Sequence, residues 1–263
     1  MDKRFLVIVL VVAVAIVAGS TLLPRRAEVA DAHAINVGAP SDTGGLVAVE
    51  LARTSTVRGR AIEAYPLKDC CATKTEYALS VDLLDAAIMC PDAAARLVAR
   101  DDRYVVVGPL VYNSDVIVSR GGAVTSVALS QRRAYQEDAA RAAFGEGAML
   151  RPMLSSAIAY ALERAEVDAA VMDVLDARAI DRPKTSIAEA NGDITTYELV
   201  VTRELMADPA YAEFLAMVSR TADDLNDVEH LKAAVEARTG VPLSTEEVKA
   251  WKQAGVRFVA PQG

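Results

Sequence analysis

The order of hydrophobic and polar residues predicts a chain in which short strands alternate with helices. Apolar runs with the spacing of strands occupy residues 32–40, 60–69, 83–91 and 103–120. Amphipathic stretches separate these runs, and the first of them follows Ser41, Asp42 and Thr43, any of which can cap a helix. Strands that alternate with helices indicate βαβ units and mainly parallel sheets flanked by helices, an α/β fold class.

The pattern starts again near residue 120. Residues 164–178 repeat the order seen at residues 80–96, in which a helix leads into "DAA", a buried strand and then an acidic residue. We therefore predict two α/β lobes of similar plan. Residues 32–119 together with 194–263 form lobe 1, and residues 120–193 form lobe 2. A single doubly wound sheet is the alternative.

The N-terminus carries the strongest local signal. A basic start at residues 1–4 precedes an unbroken apolar run from Phe5 to Leu23. Residues 1–26 are therefore expected to be a signal peptide or, if uncleaved, a membrane anchor, because the run approaches the ~20 residues that span a bilayer. Either interpretation places the rest of the chain outside the cytoplasmic membrane.

Composition and charge exclude some classes of function. The 263 residues carry a net charge of −8 and no basic run, which argues against nucleic acid as a partner. No Ser-His-Asp order, no HExxH motif and no glycine-rich phosphate loop is present. We expect no catalytic residues, no enzyme activity and no cofactor.

Four segments in this order resemble the type 2 periplasmic solute-binding proteins of ABC transporters. The likeness is closest to the branch that binds thiamine precursors, nitrate and sulfonates. The segments are residues 35–52, 81–94, 163–173 and 197–218. The resemblance implies two lobes that close on a ligand, an extracytoplasmic location, a monomeric protein, and an ABC permease and its ATPase subunits as partners.

All the cysteines of the chain fall within one stretch, and the "DCC…MCPDAA" arrangement resembles a small subgroup of such binding proteins. That subgroup is associated with selenocysteine-assisted handling of organometals, and one position of its vicinal pair can be selenocysteine. This chain has ordinary cysteines at both positions, Cys70 and Cys71.

The cysteines are expected at the cleft edge of lobe 1. Cys70 and Cys71 follow the second strand and Cys90 closes the third, and ligands of open α/β sheets bind outside the carboxyl ends of the strands. Three thiolates without a nearby histidine suit a soft metal or an organometal as transported ligand. A disulfide between Cys90 and Cys70 or Cys71, and inert buried thiols, remain alternatives. The family order, with the first strand between the other two, separates their backbones by ~10 Å, beyond disulfide range.

Other candidate ligand-binding residues lie at expected strand ends and helix starts. Each has a structural alternative, as a helix cap, a core residue or part of a solvated face. The candidates are Ser41, Asp42, Thr43, Asp92, Tyr112, Arg133, Tyr135 and Asp173. Gln131, Arg132 and Gln136 lie in the same stretch as Arg133, where an arginine near a helix start suggests a paired acid or an anionic ligand.

These residues support three hypotheses on function. The first is a binding protein for a soft metal or organometal, and the second is the same fold with structural cysteines and a small organic ligand, such as a pyrimidine or a sulfonate. An aromatic content of 5% counts against a stacked heterocycle. The third, an enzyme on the same architecture, is the least favoured.

Overall fold

The strands of the chain assemble into two mixed sheets. The structure is a computed structural model and describes residues 33–67 and 83–262. Both sheets belong to one unit that begins at Ala34. Residues 1–26, Cys70 and Cys71 lie outside the described residues.

The first sheet has the strand order β12-β5-β11-β4-β1-β3-β2. β1 pairs in parallel with β3 and β4, while the other pairs are antiparallel. The expectation that the first strand lies between the next two long strands is therefore confirmed. The strands are β1 (Ile35–Ala39), β2 (Thr56–Val57), β3 (Arg60–Pro66), β4 (Ala86–Met89), β5 (Tyr104–Tyr112), β11 (Thr195–Thr202) and β12 (Arg257–Phe258).

The second sheet has the order β10-β6-β9-β7-β8. β7 pairs in parallel with β8 and β9, and β6 is antiparallel to β9 and β10. The strands are β6 (Asp115–Ser119), β7 (Ser126–Ser130), β8 (Met149–Met153), β9 (Ala169–Asp173) and β10 (Lys184–Ser186).

Two features of these sheets differ from the sequence-based expectation. Parallel pairs are confined to three adjacent strands of each sheet. The strands on either side of each crossing between the sheets are antiparallel to their neighbours, as are β2 and β12. The β-rich run at residues 103–120 is two strands, and its second half, β6, lies in the second sheet. The chain thus passes to the second sheet at residues 113–114, before the expected boundary at residue 120.

Helices cover the sheets. Three of the described helices end at glycines with positive φ, a conformation that glycine adopts without strain: Gly145 (φ 80°), Gly192 (φ 71°) and Gly240 (φ 78°). Among the described residues, no helix is long and apolar enough to cross a membrane. The helices are α1 (Thr43–Thr54), α2 (Pro91–Arg100), α3 (Ala134–Phe144), α4 (Ser155–Glu163), a 3₁₀ helix (Asp176–Ala179), α5 (Ala188–Asn191), α6 (Arg203–Ala207), α7 (Tyr211–Leu225), α8 (Val228–Thr239) and α9 (Thr245–Gln253).

Hydrogen bonds fix the backbone where the chain passes between the sheets. Asn113 is buried and has φ 57°, a left-handed conformation that asparagine tolerates better than most residues. Its side-chain amide donates to Asp193 Oδ1 (2.9 Å) and accepts from the backbone N–H of Ile194 (2.8 Å). Next to it, the hydroxyl of Ser114 hydrogen-bonds to that of Thr196 (2.9 Å). The two crossing segments are therefore tied side by side.

Candidate functional site

Buried polar side chains from both sheets, with the half-buried Tyr135, meet in one network, here called the central polar cluster. The first sheet and its helix α1 contribute Asp42, Thr43 and Tyr197. The second sheet and its helix α3 contribute Asp115, Arg133, Tyr135, Gln136 and Asp173. A polar network of this size at a junction of two sheets is costly to bury, and convergent polar groups of this kind are common in ligand sites.

Asp173, the last residue of β9, links the second sheet to the start of α1. Its Oδ1 accepts hydrogen bonds from the hydroxyl of Thr43 (2.6 Å), the backbone N–H of Thr43 (3.2 Å) and the backbone N–H of Leu175 (2.9 Å). Asp173 as a whole is 4% exposed. Its Oδ2 is buried and has no hydrogen-bond partner among the described residues.

Asp115, the first residue of β6, is fully buried beside the start of α3. Its Oδ2 accepts hydrogen bonds from Gln136 Nε2 (2.5 Å) and the hydroxyl of Tyr135 (3.0 Å). Its Oδ1 is likewise buried and receives no hydrogen bond within the part of the chain that the structure describes. In the antiparallel pairing of β6 with β9, Asp115 lies directly opposite Asp173.

The guanidinium of Arg133 is the positive group of the cluster. Its nitrogens lie 3.6 Å from Asp42 Oδ2 and 3.8 Å from Asp115 Oδ2, and the residue is 3% exposed. The guanidinium also stacks on the ring of Tyr197, 5.6 Å from the ring centroid. The paired acid that the sequence suggested for this arginine is therefore present twice.

The environment of Asp173 favours its neutral form. Burial is the largest cause that raises the pKa of this carboxyl well above its ordinary value, and the negative charges of Asp42, Asp115 and Asp176 raise it further. The hydrogen bond from Thr43 acts in the opposite direction. Burial also raises the pKa of the Tyr197 phenol, which therefore stays protonated at neutral pH.

The structure places the predicted residues in three groups. Asp42, Thr43, Arg133, Tyr135 and Asp173 lie in the central polar cluster. Ser41 is exposed to solvent. The guanidinium of Arg257 stacks on Tyr112, 4.4 Å from the centroid of the tyrosine ring. Cys70 and Cys71 lie outside the described residues.

Cys90 and Asp92 lie between the end of β4 and the first turn of α2, where the sequence placed them. Cys90 is the N-cap residue of α2, and its side chain is buried in an apolar group that includes Leu67 and Leu84. Asp92 lies in the first turn of α2 and accepts a hydrogen bond from the backbone N–H of Ala134 (2.9 Å), the first residue of α3. Asp92 thus satisfies an N–H at the start of a helix on the other sheet rather than of its own.

Sequence reasoning did not single out Asp115 or Tyr197. Asp115 follows Asn113 and Ser114 in a polar interruption of an apolar run, and that interruption was the available signal. Tyr197 lies within an ordinary strand pattern. Its ring packs where a Cβ on Gly44 would come within 2.7 Å, so only the folded structure reveals its place beside Arg133.

Two further observations bear on the kind of ligand. Among the described residues, no group of three or more histidine, cysteine, aspartate or glutamate side chains is arranged to hold a metal ion. A separate cavity of about 570 Å³ is lined by Arg178, Glu247, Asp193 and Trp251. Two of its charged groups are paired, Arg178 with Glu247 (2.8 Å) and Asp193 with Arg257 (2.7 Å).

Comparison with solved structures identifies the fold. No family model matches the chain, and no curated protein matches it. The ligand-binding component of an ABC-type import system from Staphylococcus aureus, with zinc bound, aligns with a TM-score of 0.69 at 10% identity, over 87% of this chain and 86% of that one. The alkanesulfonate-binding protein SsuA from Xanthomonas axonopodis pv. citri, bound to MOPS, aligns with a TM-score of 0.63 at 13% identity, over 86% of each chain.

An ABC transporter protein from Parabacteroides distasonis gives a TM-score of 0.67 at 10% identity, over 86% of each chain. At such identities the likeness concerns the fold, which fits the two mixed sheets flanked by helices. The chain therefore has the two-lobed α/β fold of the substrate-binding components of ABC importers.

Proposed function

We propose that this protein is the extracytoplasmic substrate-binding protein of an ABC importer. The observation that carries the proposal is the central polar cluster, in which side chains from both sheets meet around Arg133. Two sheets joined by crossing segments can close on a small molecule and open to release it. The fold supports this function, as does the apolar N-terminal run that would export or anchor the chain.

The expected partners follow from this role. The protein would deliver its ligand to a membrane permease driven by ATPase subunits, and it would act as a monomer without nucleic acid. It would bind its ligand without converting it, which agrees with the lack of a recognisable catalytic motif.

A soft metal or an organometal is one candidate ligand. Its support is the position of Cys90, which follows the carboxyl end of β4 in the parallel part of the first sheet. Cys70 and Cys71 would supply the other thiolates from the segment after β3. Thiolates bind soft metals strongly, and no even number of cysteines is required.

A small organic molecule is the second candidate ligand. Its support is the central polar cluster itself, whose carboxylates, guanidinium and phenols can orient a ligand by hydrogen bonds. In this case the three cysteines would be structural. The cluster is the better defined of the two arrangements, and it favours the organic ligand.

Native mass spectrometry of residues 27–263, isolated without denaturation from the source organism, tests the proposed function. We expect one small molecule or one metal ion for each chain, released intact on unfolding. Protein that never carries a ligand, or that returns a chemically altered one, would contradict a binding role.

Thiol counting on the same sample separates the two candidate ligands. Loss of three free thiols together with uptake of one mercurial or Cu⁺ ion would support the metal, and a Cys90→Ser variant should then bind it more weakly. Thiols that do not change while an organic molecule is bound would support the second candidate.

A further inference from the structure

Two buried aspartates face each other across neighbouring strands in the central polar cluster. Asp115 and Asp173 are directly opposite in the pairing of β6 with β9, and their residues are 0% and 4% exposed. Like charges at such positions destabilise a sheet, because the side chains lie within about 5.5 Å of each other. The pair is therefore an unfavourable arrangement for the fold alone.

Each of these carboxyl groups also has one oxygen without a donor. Asp115 Oδ1 and Asp173 Oδ2 are buried and receive no hydrogen bond from any described residue. A buried carboxylate oxygen without a partner is costly, and such an atom calls for a donor, which a water, an ion or a ligand group can supply.

The charges around the pair do not balance. Asp42, Asp115 and Asp173 contribute three carboxyl groups, and Asp176 lies near enough to act on Asp173. Arg133 is the cation that faces them, at 3.6 Å from Asp42 and 3.8 Å from Asp115, which is longer than a charge-assisted hydrogen bond. Thr43, Tyr135 and Tyr197 are neutral. Around Asp115 and Asp173 themselves, the described residues leave negative charge that a proton or an added cation can offset.

We propose that the transported molecule carries a protonated nitrogen group, such as an ammonium, amidinium or guanidinium, which binds between Asp115 and Asp173. This inference rests on the proposed function and specifies its ligand. An N–H donor with positive charge would satisfy both free oxygens and relieve the repulsion between the two side chains. A simple sulfonate or nitrate would instead add negative charge to the pair.

Binding of such a cation competes with a proton. The pKa of Asp173 is raised by burial and by its acidic neighbours, so the carboxyl group must release a proton before it can pair with the cation. Affinity for the cation should therefore rise with pH, by about tenfold per pH unit while Asp173 is protonated in the free protein. Affinity for an anion would fall over the same range.

Isothermal titration and thermal melting with matched small probes test this proposal. Ethylamine, acetamidine, methylguanidine and taurine carry the cationic group, whereas ethanesulfonate has the sulfonate of taurine without its ammonium. We expect at least one cationic probe to bind with one-to-one stoichiometry and taurine to bind more tightly than ethanesulfonate.

Two variants assign the binding to the aspartate pair. Asp173→Asn keeps the shape of the side chain and should weaken the bound probe about tenfold or more. Asp181→Asn removes the same charge from an exposed position of the same half of the chain and should leave affinity unchanged. Asp115→Asn provides a second test should Asp173→Asn fail to fold.

Several results would overturn the proposal. These are binding of none of the cationic probes, binding of ethanesulfonate in preference to taurine, or undiminished affinity in the Asp173→Asn and Asp115→Asn variants. Preference for ethanesulfonate would leave the binding-protein role intact. Absence of any ligand from protein isolated from its source would instead contradict that role.

Discussion

Asp173 is the residue on which the electrostatics of the site depend. It holds Thr43 of α1 through one carboxyl oxygen and faces Asp115 across the sheet. Because its surroundings favour the protonated form, the folded protein binds a proton more tightly at this position than the unfolded chain does. This property links the stability of the fold to pH.

The linkage predicts how the free energy of unfolding depends on pH. The unfolded chain ionises Asp173 near its ordinary pKa of 3.8, whereas the folded protein does so at higher pH. The contribution of this residue to stability is therefore lost as pH rises from about 4 through the raised pKa. Asp173→Asn removes this loss, so the variant should gain stability over the wild type as pH increases.

Urea unfolding of both proteins at several pH values measures this difference. Asp181→Asn serves as the control because its side chain is exposed, and its difference from the wild type should not follow the same curve. A gap between Asp173→Asn and the wild type that stays constant as the pH is raised from about 4 would contradict the assignment.

At the scale of single elements, α1 depends on a close approach to the preceding turn. A Cβ on Gly45 would lie 2.0 Å from the carbonyl oxygen of Pro40, a backbone atom that cannot move aside cheaply. Gly45→Ala should therefore destabilise the protein by about 1–3 kcal/mol or more and displace Thr43 from Asp173.

The matched control for this prediction is Gly147→Ala, where a Cβ would meet nothing within 4 Å. Thermal melting of both variants is the measurement. Equal melting temperatures for the two alanine variants would show that the tight turn does not limit the stability of α1.

Asn113 fixes the backbone where the chain passes from the first sheet to the second. Asn113→Ala removes the hydrogen bonds to Asp193 and Ile194 and places alanine at φ 57°. We expect a loss of about 2–4 kcal/mol in the free energy of unfolding. Asn113→Gly restores the backbone freedom but not the hydrogen bonds, so chemical denaturation should place it between the wild type and alanine. Two variants of equal stability would exclude a contribution from the backbone conformation.

Several strands and helices could be predicted from the sequence because their hydrophobic patterns are local. Strand β1, helix α1 and the return of the chain at Thr195–Thr202 follow from hydrophobic period and cap residues alone. The passage between the sheets was not predicted, because the apolar run resumes directly after Asn113 and Ser114, where the backbone changes sheets. Periodicity does not report which sheet a strand joins.

The site was predictable only in part for a related reason. Asp42, Asp173 and Arg133 lie at strand ends and helix starts, positions that sequence alone can locate. The opposition of Asp115 to Asp173 depends on the register of two strands that are more than fifty residues apart. Register is set by packing across the whole sheet, so this pair emerged only from the structure.

At the scale of the whole molecule, Arg178 holds the second sheet against helices of the first. It lies in the 3₁₀ helix after β9 and donates to Glu247 Oε1 (2.8 Å) and to the carbonyl oxygens of Pro242 (2.9 Å) and Val241 (3.2 Å). Its side chain is 15% exposed. These bonds join the halves that a binding protein must separate to release its ligand.

Arg178→Met should therefore shift the protein towards a more open arrangement. We expect a larger radius of gyration in small-angle X-ray scattering, since the variant loses hydrogen bonds from a charged group, each worth about 1.5–3 kcal/mol. Arg141→Met is the control, because Arg141 pairs with the exposed Glu146 and should contribute little. Identical scattering from the wild type and both variants would show that Arg178 does not hold the two halves together.

The central claim is that the ligand binds between the two sheets in the central polar cluster. The most direct test is a crystal structure of the protein isolated with its bound ligand, in which the electron density of the small molecule is located. The account predicts density in contact with Arg133 and with the carboxyl groups of Asp115 and Asp173. Density in the cavity beside Trp251, or a metal ion held by Cys90 without contact to that cluster, would contradict it.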